Sequence, residues 1–189
     1  MTGWDHALFL WLNLAPGVAP WQVTAAQLAS LQLPPAMVTT ALAVALAGRP
    51  DWRAQAWRVL LSMALAALTA ALLKRGISAA RPFALGLGTQ WLPHAASAGF
   101  PSAHATAALA FGVSALWLPA RWPVRGALLA AALAVAWSRI ALGLHFPSDV
   151  LAGSALGALC ALAVQGLTAR APRRRARAPS PAPAQPRVS

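Results

Sequence analysis

Apolar residues in this chain gather into long runs, separated by short polar or Pro-rich breaks. Five runs approach the roughly 20 residues that a helix needs to cross a hydrocarbon layer about 30 Å thick: 34–46, 57–73, 103–118, 124–144 and 149–167. The first is short and led by Pro34 and Pro35, and the third is stopped by Pro119. Ala and Leu dominate, with small residues such as Gly153, Ser154 and Gly157 that allow membrane helices to approach closely. Ahead of these runs, 4–14 and 21–33 are apolar but broken by Pro16, Gly17 and Pro20, and interrupted by Asp5, Asn13, Gln22, Gln27 and Gln32. They predict two short helices lying at the membrane interface, anchored by Trp4, Trp11 and Trp21; a sixth span built from this region is the alternative. The expected fold is an all-α, polytopic membrane helix bundle with five transmembrane spans plus N-terminal interfacial helices, or six spans. Residues 1–33 then form the interfacial helices or a first span, 34–169 the membrane-embedded core, and 170–189 a basic, Pro/Ala-rich disordered cytoplasmic tail.

Composition supports the membrane reading. The chain is 59% hydrophobic and 10% charged over 189 residues, against about 25% charged for a soluble domain. Such an apolar chain is not disordered as a whole, and the lone Cys160 cannot make an internal disulfide. No basic residue precedes the first apolar run, unlike a cleavable signal peptide. The net charge of +12 is concentrated. Arg170, Arg173, Arg174, Arg175 and Arg177 form a cluster that resembles a nucleic-acid arm. Basic residues beside a hydrophobic span mark the cytoplasmic side instead, so no nucleic-acid partner is expected. Arg49, Arg53, Arg58, Arg121 and Arg125 fall on that same side if the five spans alternate. The opposite, extracytoplasmic side carries Lys74, Arg75, Arg81, Arg139 and Asp149 against the usual bias, which requires a local reason.

Three clusters on that outer face supply the reason. Lys74 ends the second span and is followed by Arg81 and Pro82. Pro101, Ser102, Ala103 and His104 open the third span, where unpaired backbone N–H groups and the helix dipole favour an anion. Ser138 and Arg139 close the fourth span, His145 follows, and Asp149 opens the fifth. Ionisable groups beside spans are costly and mark functional sites. Fixed cations around a helix start suit a dianion such as phosphate. A His with an Asp four residues on can be held in one tautomer and act as a nucleophile, and a second His can protonate a leaving oxygen. Two His and one Asp can also ligate zinc; Lys74, Arg81 and Arg139 would repel a cation and weigh against it, so neither metal nor cofactor is expected.

The order and internal spacing of these clusters resemble the three signatures of the type 2 phosphatidic acid phosphatase family. Lys74, six residues, then Arg81-Pro82 resembles the first. Pro101-Ser102-Ala103-His104 resembles the second, with Ala103 where Gly is usual. Ser138-Arg139, five residues, His145, three residues, Asp149 resembles the third. Ten polar or Pro positions match in order. The resemblance implies that His145 forms a phosphohistidine, that Asp149 orients it and that His104 protonates the lipid-side oxygen. It further implies that Lys74, Arg81, Ser102 and Arg139 hold phosphate, with Ala103 in the same turn. Ser138 is the weaker candidate, equally suited to capping or packing. The implied substrate is a lipid phosphate entering from the bilayer, first of all undecaprenyl diphosphate, because small bacterial undecaprenyl-diphosphate phosphatases share the short chain and the Phe83 and Phe100 contexts. Phosphatidylglycerophosphate, phosphatidic acid and lipid A are alternatives. A non-catalytic lipid-binding protein would be expected to have lost His145 or His104, and an anionic-lipid transporter to show inverted repeats. His6 and His94 match no signature and read as interfacial or loop residues, Arg75 as a headgroup contact, and Trp91 as a packing residue or one that leans on an acyl chain.

Overall fold

The computed structural model describes residues 3–169, so the basic tail expected at 170–189 lies outside the described residues. The described chain forms helices only: α1 (Gly3–Leu12), α2 (Pro20–Leu31), α3 (Leu33–Ala47), α4 (Pro50–Gly76), a 3-10 turn (Pro82–Leu85), α5 (Ala103–Ala115), α6 (Trp122–Ala141) and α7 (Pro147–Ala169). Proline in the first turn starts α2, α3, α4 and α6, where the missing N–H would have had no helical partner.

The 21–33 segment does not stand apart from the first expected span. Gln32 keeps a right-handed helical conformation (φ −99°, ψ −37°), so α2 runs into α3. Together they make an apolar stretch, Pro20–Ala47, of 28 residues, long enough to cross a membrane. The break at Gln32 has a cause: Pro34 and Pro35 offer no N–H to the preceding turn. The polar residues that made α2 look interfacial are used inside the protein. Gln27 Nε2 donates to the Trp91 carbonyl at 3.1 Å, and Ser30 accepts from Arg139.

With α4, α6 and α7, four stretches among the described residues are long and apolar enough to span. The fifth, α5, has 13 residues, about 20 Å of helix, and ends before the predicted 118. It need not match the bilayer because it is the central helix, packed on α4, α6 and α7 and buried along most of its length. Its closest partner is α7. Gly157 lies against the Thr106 backbone, and a Cβ at Gly153 would sit 2.7 Å from the Ser102 carbonyl oxygen. Leu68, Leu151, Leu159 and Leu167 remain more than half exposed on the outside, the lipid-facing surface expected of such a bundle.

Candidate active site

The C-terminal ends of α4 and α6 and the N-terminal ends of α5 and α7 meet at one end of the bundle. Arg49, Arg121 and Arg125 lie at the other end, at the starts of α4 and α6. Several backbone contacts lock the meeting point. Ser102 N donates to the Asp149 carbonyl at 3.0 Å, while Leu144 N and His145 N both donate to the Arg139 carbonyl, at 3.0 and 3.2 Å. The turn out of α6 passes through Gly143 with φ +77°, a conformation that favours glycine. The same tight spot brings Gly143 against the Thr89 carbonyl, leaving no room for a side chain.

The three predicted clusters come together. His145 is 2% exposed, with Nδ1 3.4 Å from Asp149 Oδ2 and Nε2 3.0 Å from Arg81 Nη1. Arginine only donates, so Nε2 is the acceptor and the ring proton belongs on Nδ1, facing Asp149. Burial first, then the charges of Arg81, Arg139 and Lys74, hold the His145 imidazole well below its usual pKa of 6.5. It is therefore neutral at pH 7, with the Nε2 lone pair turned to Arg81 Nη1. Asp149 Oδ2 accepts its hydrogen bond from Phe146 N at 3.0 Å.

Around this pair lie the cations. Lys74 Nζ donates to the Ala98 carbonyl at 2.7 Å. Arg81 donates to the Ser97 and Leu144 carbonyls at 2.8 and 3.1 Å. Arg139 is 1% exposed; its Nη1 donates to Ser30 Oγ, while Nε and Nη2 have no partner among the described residues. Ser102 is buried at the start of α5, and its hydroxyl is likewise unpartnered. His104 and Ala103 occupy the first turn of α5 at intermediate exposure, with His104 within electrostatic reach of Arg139, His145 and Arg81. Ser138 turns away: its hydroxyl donates to the Val135 carbonyl of its own helix at 2.7 Å, which is the packing role. No cluster of three or more metal-ligating side chains occurs among the described residues.

Several contributors escaped the sequence reading. Asp5 accepts from Ser148 N and Oγ at 3.0 and 2.6 Å. His6 stacks on Phe146 with ring centroids 5.1 Å apart. Asn13 bridges the Thr89 and Ala141 carbonyls, both at 3.0 Å, and accepts from Thr89 N. Ser30 holds Arg139. The available signal was polarity inside apolar runs, which marks internal contacts as readily as interfacial placement. His94 is a loop residue as expected: its ring contacts the neighbouring Ala95 carbonyl at 3.0 Å, and burial is the main cause of its lowered pKa. Trp91 packs, as its indole N–H donates to the Leu14 carbonyl at 2.7 Å and its ring covers a small cluster with Leu142 and Leu144.

A membrane helix bundle that gathers Lys, two Arg, two His and an Asp at one end has the makings of a phosphate-handling enzyme. The chain matches the PAP2 superfamily over residues 55–173 and belongs to it; it is a membrane phosphatase of that family. It is 29% identical to YbjG of Escherichia coli (strain K12), provisionally named an undecaprenyl-diphosphatase, over 84% of this chain and 80% of that protein. It is 40% identical to the lipid A 1-phosphatase of Rhizobium etli, over only 48% of this chain and 40% of the relative. Among solved structures it resembles the PAP2-type phosphatidylglycerolphosphate phosphatase of Bacillus subtilis (TM-score 0.70, 26% identity, 90% of this chain and 87% of that one). The fold also matches Aquifex aeolicus LpxE (TM-score 0.72, 20% identity, 87% of this chain and 96% of that one). The α1 and α2 residues that reach the site lie ahead of the family match.

Proposed function

We propose that the protein hydrolyses a lipid diphosphate through a phosphohistidine, with undecaprenyl diphosphate as substrate and undecaprenyl phosphate and inorganic phosphate as products. The observation that carries this reading is the set of buried, unpartnered donors beside a neutral His145: Arg139 Nε and Nη2 and the Ser102 hydroxyl. A buried guanidinium without a carboxylate is costly and is matched by a phosphoryl group, whose oxygens accept from such forks. His145 Nε2 attacks the terminal phosphorus, and its bond to the bridging oxygen breaks. His104 delivers a proton to that oxygen. Lys74, Arg81 and Arg139 neutralise the oxygens in flight. Asp149 stabilises the Nδ1 proton of His145 as positive charge develops. A water activated by His104 then attacks the phosphohistidine, releasing phosphate and restoring both histidines. No step needs a metal. Arg81 sits on Nε2, so a substrate must draw it onto the phosphate before attack.

The preference for a prenyl diphosphate rests on the relative that matches most of the chain. Phosphatidylglycerophosphate, phosphatidic acid and lipid A 1-phosphate present the same group to the same cradle. The site end lies extracytoplasmic in the bacterial inner membrane on this reading, with the tail cytoplasmic. In detergent with EDTA, phosphate release should be fastest with undecaprenyl diphosphate, survive chelation, and fall by about 1,000-fold or more in His145→Ala. Activity that requires added metal would overturn the mechanism, and a faster rate on another lipid would overturn the substrate.

A further inference from the structure

We propose that Asp5 is a positioning residue for the His145–Asp149 pair, which makes α1 part of the active site; this rests on the reading of His145 as the nucleophile. The link from His145 to Asp149 is Phe146, Pro147 and Ser148, and its backbone donors can all be accounted for. Phe146 N donates to Asp149 Oδ2 at 3.0 Å. Pro147 has no N–H. Ser148 N donates to Asp5 Oδ1 at 3.0 Å and Ser148 Oγ to Asp5 Oδ2 at 2.6 Å. One side of the link is therefore held by Asp149 itself, and the other by a carboxylate 143 positions away.

Asp5 is 1% exposed, and no Lys or Arg pairs with it among the described residues. A carboxylate buried without a cation is expensive. Its compensation is the first turn of α7, where an N–H is free and the helix dipole favours negative charge. Anchoring α1 does not require that charge, because His6 and Phe9 already pack on the Phe146 ring, with centroids 5.1 and 5.4 Å away. What the charge adds is a fixed Ser148, one residue before Asp149. With Ser148 held, the Asp149 backbone and its carboxylate stay aimed at His145 Nδ1. The chain has only three acidic residues, and two of them grip this one segment.

The test compares Asp5→Ala, Asp5→Asn, Ser148→Ala and the Asp5→Ala/Ser148→Ala double variant, each purified as monodisperse protein in detergent. With undecaprenyl diphosphate, kcat of Asp5→Ala should fall about 10- to 100-fold. KM and inhibition by inorganic phosphate should stay within about twofold, because the phosphate ligands are untouched. Asp5→Asn, which keeps one acceptor oxygen for Ser148, should recover part of the loss. The double variant should be no worse than the poorer single one. Independently of turnover, ¹⁵N NMR of the His145 ring, assigned with His145→Ala, should lose its protected Nδ1–H signal in Asp5→Ala. An unchanged kcat together with an unchanged His145 signal overturns the proposal, as does full additivity in the double variant. If the wild-type protein hydrolyses no lipid phosphate, the functional reading fails, and the NMR comparison alone still decides whether Asp5 positions His145.

Discussion

At the residue scale, the site depends on keeping one imidazole neutral among cations. His145 is buried, and Arg81, Arg139 and Lys74 all oppose its protonation. The sign is definite: both causes disfavour the charged ring, so its midpoint lies below the ordinary 6.5. A ring titration by ¹⁵N NMR in detergent should therefore find His145 neutral throughout about pH 6.5–8, and protonated only at distinctly lower pH. A midpoint at or above the ordinary value would mean that Asp149 outweighs burial and the cations. The residues of this centre were legible in the sequence because their types are rare there: one Lys, four His and three acids in a mostly apolar chain. Asp5 was equally rare, yet it read as an interruption of an interfacial helix. Nothing in its neighbours announces a partner 143 positions away.

At the element scale, α5 opens on the second signature and α7 carries Asp149 of the third, and the two helices are held together by small residues. A Cβ on Gly157 would collide with the Thr106 backbone and come within 2.9 Å of Ala110 N, neither of which can move without shifting α5. Gly157→Ala should destabilise the bundle by about 1–3 kcal/mol, lowering its thermal midpoint in detergent by several degrees, and should reduce activity by separating His104 from Asp149. Gly126 in α6 faces open space, and a Cβ there would meet nothing within 4 Å, so Gly126→Ala should be neutral or slightly stabilising through helix propensity. Equal losses in both variants would place the effect outside the α5/α7 contact. The spans themselves were readable to within a few residues at most ends, because apolar length follows from bilayer thickness. The α2–α3 continuity was not. Pro34 and Pro35 suggest a helix start, and only the packing of α2 on α6 lets the chain keep its direction through Gln32.

At the scale of the whole molecule, charge is divided between two ends. Arg49, Arg121 and Arg125 lie at the starts of α4 and α6 at one end; Lys74, Arg81 and Arg139 converge on His145 at the other. On the proposed orientation, which follows the positive-inside bias, the first end is cytoplasmic. A membrane-impermeant maleimide applied to intact bacterial cells should label Gln90→Cys, an exposed position near the site, and leave Asp51→Cys, an exposed position at the start of α4, unlabelled until the membrane is permeabilised. The reverse pattern would put the site in the cytoplasm. The native Cys160 is buried and gives little background.

Sequence alone determined the solvent, the helical class and the three signature clusters, because bilayer thickness and the chemistry of phosphate restrict which residues can occur and at what spacing. Tertiary structure decided the rest. It joined α2 to α3 and let α5 be short by surrounding it with other helices. It sent Ser138 into its own helix. It brought Asp5, Asn13 and Ser30 from the N-terminal helices to the site. Such contacts depend on which helix faces meet, and a run of Ala and Leu that is apolar on every side does not encode a facing direction.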